Sequence, residues 1–349
     1  FQGVRVAIGA NGVFSATAVL KVGANTIVLR VIDSTGNYET DSFVVVRSNS
    51  ARAIAAGGGH SLALRDDGTV VAWGDNSFGQ TTVPTGLDKV VSIAAGAYHS
   101  LALRDDGTVV AWGYNSSGQA NVPTTLNNGK VVAIAAGEYH SLALRDDGTV
   151  AAWGYNSGGQ ATVPTALNNV KVVAIAAGEY HSLALRDDGT VVAWGDNSDG
   201  LVTVPTTLNN GKVVAIAAGA YHSLALRDDE TVAAWGYNGS GQTTVPDTLN
   251  NGKVVAIAAG GYHSLALRDD GTVVVWGSKG FGQTTVPDTL NNGKVVAIAA
   301  GRGHNLALLD DGAVVAWGSN SYGQTTVPSD LGALASDPEL NVRGSPSRP

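Results

Sequence analysis

The chain has 349 residues, 44% of them hydrophobic, with a formal net charge of -8 and no cysteine. The missing cysteine excludes disulfides and thiolate chemistry, and the acidic balance disfavours phosphate-backbone binding, which needs clustered lysine and arginine. No apolar run reaches the roughly 18 residues of a membrane-spanning helix, so neither nucleic acid nor membrane insertion is expected.

The chain opens at Phe1 with no initiator methionine and no signal segment, which reads as a processed or excised fragment whose targeting is invisible. Residues 1–48 alternate apolar and polar side chains over 4–8, 14–20, 26–32 and 42–46, with a turn at Asp33-Ser34-Thr35-Gly36-Asn37. Four short strands with Gly and Asn turns predict part of an antiparallel sandwich. The phrases Gly23-Ala24-Asn25-Thr26-Ile27 and Asp33-Ser34-Thr35-Gly36-Asn37 resemble the closing half of bacterial immunoglobulin-like modules of extracellular proteins. The polar joint Ser48-Asn49-Ser50 follows.

From residue 51 one phrase recurs seven times. Its histidine is His60, His99, His140, His181, His222, His263 and His304, and thirteen residues later stands Trp73, Trp112, Trp153, Trp194, Trp235, Trp276 or Trp317. The copies are spaced by 39 residues once and by 41 five times, a period that marks a repeat array counted as one domain. In the third copy, residues 131–136 read as an inner strand of small residues. Residues 141–145 follow as a second strand, turned by Asp146-Asp147-Gly148 into a third over 149–153. A loop then leads to a short edge strand over 161–163, ended by Pro164, where one backbone donor can be spared. Strands such as Val109-Val110-Ala111-Trp112 lack polar alternation, so both faces are covered. Four antiparallel strands in each of seven repeats predict an all-β, seven-bladed β-propeller over residues 51–332, preceded by a partial sandwich over 1–48 and followed by a disordered tail over 333–349.

The wording Gly-x-Tyr-His-Ser-Leu-Ala-Leu, Asp-Gly-Thr-Val and Trp-Gly-x-Asn-x-x-Gly-Gln resembles the repeat of the RCC1 superfamily of propellers. Within it, the compact repeat and the phrase ending Gly-Gln-Thr-Thr-Val-Pro are similar to the bacterial β-lactamase inhibitor protein II group. That resemblance implies a binding role in which aromatic loops of one propeller face meet a target enzyme.

Strand direction assigns the loops to two faces. Tyr98, Tyr139, Tyr180, Tyr221 and Tyr262 precede the histidines, and Tyr114, Tyr155, Tyr237 and Tyr322 lie in the loops after the tryptophans, together with Phe78 and Phe281. All fall on one face, while the Asp pairs and lysines fall on the other. Clustered exposed aromatics are the composition of a protein-binding face, although the same rings could pack only on neighbouring loops.

Seven histidines on seven blades point to seven places, so they read as structural, bonded to backbone between blades, rather than as metal ligands. The tryptophans read as scaffold, and the Asp pairs as turn formers with no calcium loop or acid–base pair. No catalytic residue, metal or cofactor is expected. Function is sought where symmetry breaks. Gly59 and Gly303 replace tyrosine, and Lys279, Phe281 and Arg302 are peculiar to blades six and seven, beside an acidic sector holding Glu138 and Glu179. Glu230 stands where the other copies have glycine, a place calling for positive φ; Leu201 replaces Gln and Leu309 replaces Arg.

The expectation is a monomeric, non-enzymatic, extracytoplasmic propeller that binds another protein, in its specific form a β-lactamase or penicillin-binding enzyme. A glycan-binding or adhesive surface module and a structural spacer compete with it. Guanine-nucleotide exchange is disfavoured by the uninterrupted repeats, and ultraviolet sensing by tyrosine or glycine in the loop before each histidine.

Overall fold

The computed structural model describes residues 23–32, 38–47, 50–128, 130–210, 212–250, 253–291 and 294–331. The chain divides into two units, Phe1–Asn49 and Ser50–Pro349. In the first, Gly23–Ile32 and Tyr38–Arg47 form an antiparallel ladder in which Thr26 pairs with Val44. These are the third and fourth strands expected from the alternation. The first two, over 4–8 and 14–20, lie outside the described residues, as does the tail expected over 333–349.

The second unit is seven three-stranded antiparallel sheets, each built from contiguous sequence. In the third blade the inner strand is Val131–Ala136, the middle strand His140–Arg145 and the outer strand Val150–Gly154. The expected fourth strand is absent from every blade, and the reason is local. Asn156 Oδ1 accepts the Ala161 amide at 2.9 Å, and the Thr162 amide turns back to the Gly159 carbonyl at 3.0 Å. Backbone groups that a strand would pair laterally are thus consumed in turns, and Pro164 offers no donor. From Pro164 the chain enters a short 3-10 turn, Thr165–Leu167, whose leucine is buried.

Blades stack because the middle strand alternates large and small. His140, Leu142 and Leu144 face the next blade, where Leu142 and Leu144 pack with Leu167, Val172, Ala184 and Trp194. Ser141 and Ala143 face the previous blade, and Ala143 receives Leu101, Leu103 and Leu126. Period two places two leucine knobs over one alanine hole at each junction, and each fully buried leucine contributes about 1.5–3 kcal/mol.

The ring closes with no blade shared between its first and last strands, through the same kinds of contact that join the other neighbours. Leu306, Leu308 and Leu331 meet Ala51, Ala63 and Trp73 in the same cluster that joins other neighbours, and Ser61 and Trp73 both bond the Gln324 carbonyl at 2.9 Å. Arg65 and Asp330 add an ion pair at this seam.

Aromatic face and axial mouth

Each tryptophan is a clamp between blades. Trp153 Nε1 donates to the Gln119 carbonyl at 2.8 Å, fixing the loop of the preceding blade. Trp112 holds Gln80, Trp194 holds Gln160, Trp276 holds Gln242 and Trp317 holds Gln283 in the same way. Trp235 bonds the carbonyl of Leu201 at 2.9 Å, so the change from Gln to Leu leaves the clamp intact.

The histidines form a second set of ties, and here the expectation of backbone partners is corrected. His60, His99, His140, His181, His222 and His304 bond the serine hydroxyl of the adjoining blade at 2.8–2.9 Å, His304 closing the circle on Ser61. His263 instead meets Asn305 Oδ1 at 2.6 Å, while Asn305 Nδ2 donates to the Gln283 carbonyl. Ser61, Ser100, Ser141, Ser182 and Ser264 likewise donate to loop carbonyls, as Ser141 does to Gln119 at 2.9 Å. One hydroxyl proton cannot serve two acceptors, so the proton between ring and serine belongs to histidine Nε2. Each imidazole is then neutral with a bare Nδ1, and burial first of all lowers His140 to about 3 and His60 to about 4. A serine–histidine contact suggests a nucleophile and its base, but these serines point their protons away from the ring and have no exposed surface.

A glycine between inner strand and loop permits this closeness. A Cβ on Gly137 would lie 2.4 Å from both the Gly178 carbonyl oxygen and His140 Cε1. Amides just beyond it run round the axis from blade to blade: Glu138 to Gly178 at 3.2 Å, and Arg302 to Gly57 at 3.1 Å across the seam.

The loops on this face carry the aromatic residues. Phe78, Tyr98, Tyr114, Tyr139 and Tyr155 touch in series, with centroids 4.8 Å apart for Phe78–Tyr114 and 5.5 Å for the stacked Tyr98–Tyr139. Tyr180, Tyr221, Tyr237 and Tyr262 form a second series, with Tyr221 and Tyr262 stacked at 5.1 Å. Among the described residues Phe281 and Tyr322 are the most exposed rings, at 62% and 60%. They lean over the two blades that lack a first-loop tyrosine: a Cβ on Gly303 would lie 3.1 Å from Phe281 and one on Gly59 3.2 Å from Tyr322. Lys279 is exposed in the same loop as Phe281.

The arrangement of charge differs from the expected side-by-side sectors. Glu138 and Glu179 are only 7% and 5% exposed and line a cavity of about 80 Å3 on the ring axis, together with Arg302. Arg302 Nη1 stands 4.0 Å from Glu138 Oε1, so acid and base meet across the axis. Tyr221 donates its hydroxyl to Glu179 Oε1 at 3.0 Å. Burial, then the adjacent Glu179, pushes Glu138 up to about 8, with Arg302 opposing. Burial and the Glu138 carboxyl raise Tyr139, and Glu179 raises Tyr180. The sequence shows Glu138 and Glu179 as breaks in the repeat, but their convergence follows from ring closure. Among the described residues no group of three histidine, aspartate or glutamate side chains could hold a metal ion.

The profile of the RCC1-like domain matches residues 120–347, and that of the regulator of chromosome condensation (RCC1) repeat matches 51–80 and 90–119. The chain belongs to the RCC1-like family. Human WBSCR16 is 23% identical with a TM-score of 0.63, over 77% of this chain and 89% of that one. The CRINKLY WD40 ectodomain of the Arabidopsis thaliana receptor kinase ACR4 is 25% identical with a TM-score of 0.61, over 77% and 96%. A chain in the crystal structure of Kap60 bound to yeast RCC1 (Prp20) is 24% identical with a TM-score of 0.61, over 75% and 81%. Among curated proteins none matches. In this RCC1-like propeller the seven-blade architecture is shared with the relatives, whereas the aromatic loops and axial charges are read from its own residues.

Proposed function

We propose that this RCC1-like propeller is a non-enzymatic, extracytoplasmic module that binds another protein through its aromatic face, and that its target is a β-lactamase or penicillin-binding enzyme whose active site it covers. The observation that carries the reading is the two series of touching rings on one face, extended by the exposed Phe281 and Tyr322. Tyrosine and phenylalanine supply large contact area with few rotatable bonds, which is the make-up of interface hot spots. That Kap60 was crystallised bound to yeast RCC1 (Prp20), a protein of similar fold, supports protein binding. The choice of enzyme rests on the repeat wording, and the extracytoplasmic setting on the immunoglobulin-like wording before the ring.

The test is a calorimetric titration of the full chain against class A β-lactamases and penicillin-binding proteins, with residual hydrolysis followed in the same samples. Binding with loss of hydrolysis is expected, and Phe281→Ala and Tyr322→Ala should each weaken it by about tenfold or more, as loss of a hot-spot ring does. Absence of binding to every member removes the enzyme target. Binding that both variants leave untouched moves the contact off this face.

A further inference from the structure

The axial mouth has one more acid than it has bases. Glu138 and Glu179 occupy a repeat position that is Gly58, Ala97, Ala220, Gly261 or Arg302 in the other blades. Small residues at four of the seven places leave the cavity open, and the two carboxyl groups, each more than nine-tenths buried, line it. Arg302 is the sole cation paired there among the described residues. Its Nη1 stops 4.0 Å from Glu138 Oε1, beyond hydrogen-bond distance, and its side chain is 46% exposed at the lip. Glu138 faces Glu179, Tyr139 and Arg302, and Glu179 takes hydroxyls from Tyr180 and Tyr221. A buried carboxylate without a close cation is costly, so the free protein covers the excess charge with a proton on Glu138.

We propose that this mouth seats a lysine ammonium of the bound partner, inserted along the axis onto Glu138 and Glu179. The proposal rests on the reading of this face as a protein-binding surface. At about 80 Å3 the cavity takes the end of one side chain, far less than the roughly 300–1,000 Å3 of pockets for small molecules. A single positive charge balances the two acids against Arg302, and an ammonium has three donors to divide between carboxylates and a tyrosine. The hydroxyls of Tyr180 and Tyr221 meet Glu179 and leave polar oxygen beside the seat. Seating the ammonium expels the proton held by Glu138. Affinity therefore rises with pH, by up to about tenfold per unit while Glu138 is protonated in the free protein, and levels off above about pH 8.

The test follows backbone amide shifts of the full chain on addition of n-butylammonium chloride, with n-butanol and sodium butyrate as controls. A saturable response at Glu138, Glu179 and Tyr221 is expected at about pH 9, at least tenfold weaker at about pH 6.5, and missing with butanol. Glu138→Gln and Glu179→Gln should each abolish it, with thermal melts confirming the fold. Arg302→Gln should strengthen it at the higher pH, because the competing internal cation is gone. A wild-type response to butyrate but not to butylammonium, or loss of the amine response in Arg302→Gln, overturns the proposal. Protein binding unaffected by both glutamine variants, with no amine response, removes the seat and leaves the docking face. An amine response without any protein partner removes the docking reading and leaves the seat.

Discussion

Single residues in this ring are judged by what six other copies do at the same place. Glu230 is an instance, standing at φ 65° in the turn where Gly148 has φ 84° and Gly189 φ 83°. A left-handed conformation costs a residue with a Cβ about 1–2 kcal/mol. Part of that is offset because Glu230 Oε2 accepts the Lys253 amide at 2.9 Å. Glu230→Gly should therefore raise stability, by about 0.5–1 kcal/mol, read as a higher urea midpoint with an unchanged slope. A decrease would show that the Lys253 contact outweighs the strain. The strained turn was legible from the sequence, since the pattern alone demands positive φ there. The compensating hydrogen bond was not, because it joins residues 23 apart in sequence.

At the scale of the element, the blade differs from its sequence reading in one respect, and the cause is a competition for backbone hydrogen bonds. Apolar residues before a proline read as an edge strand, yet the segment after Trp153 folds as a chain of turns around Asn156, held by the next blade through Ser182 and Trp194 bonding the Gln160 carbonyl. The clamp has a measurable worth. Trp153→Phe keeps a ring in the pocket but leaves the Gln119 carbonyl without its indole donor, and should cost about 2–3 kcal/mol through a lost hydrogen bond and a small void. Chemical unfolding of the variant checks this. A change below about 0.5 kcal/mol would mean that the serine bond from Ser141 alone holds the loop.

For the whole molecule the histidines dictate the response to acid. Burial, as the largest cause, sets all seven folded-state values at about 3 to 4, against an ordinary 6.5. Between those values the unfolded chain binds more protons than the folded ring, so stability is complete above about pH 6.5 and declines as pH falls. At about pH 5 each histidine withdraws about 2 kcal/mol, and the seven together rival the 5–15 kcal/mol of a typical domain. The melting temperature should drop steeply between about pH 6.5 and 5, in one cooperative step because each histidine ties two blades. A melting temperature constant down to about pH 4.5 would refute buried neutral imidazoles.

The sequence by itself determined the number of blades, the inner, middle and outer strands, the turn glycines, and the loops in which each aromatic stands. A sevenfold repeat with period-two alternation leaves little freedom for residues that are neighbours along one strand or one hairpin. Tertiary structure alone decided the partners across blades: histidine with serine, tryptophan with the preceding loop, Phe281 over Gly303, and Arg302 with Glu138 across the axis. Those contacts join residues from 22 to more than 200 positions apart, and only the stacking of blade on blade and the closing of the ring bring them within reach.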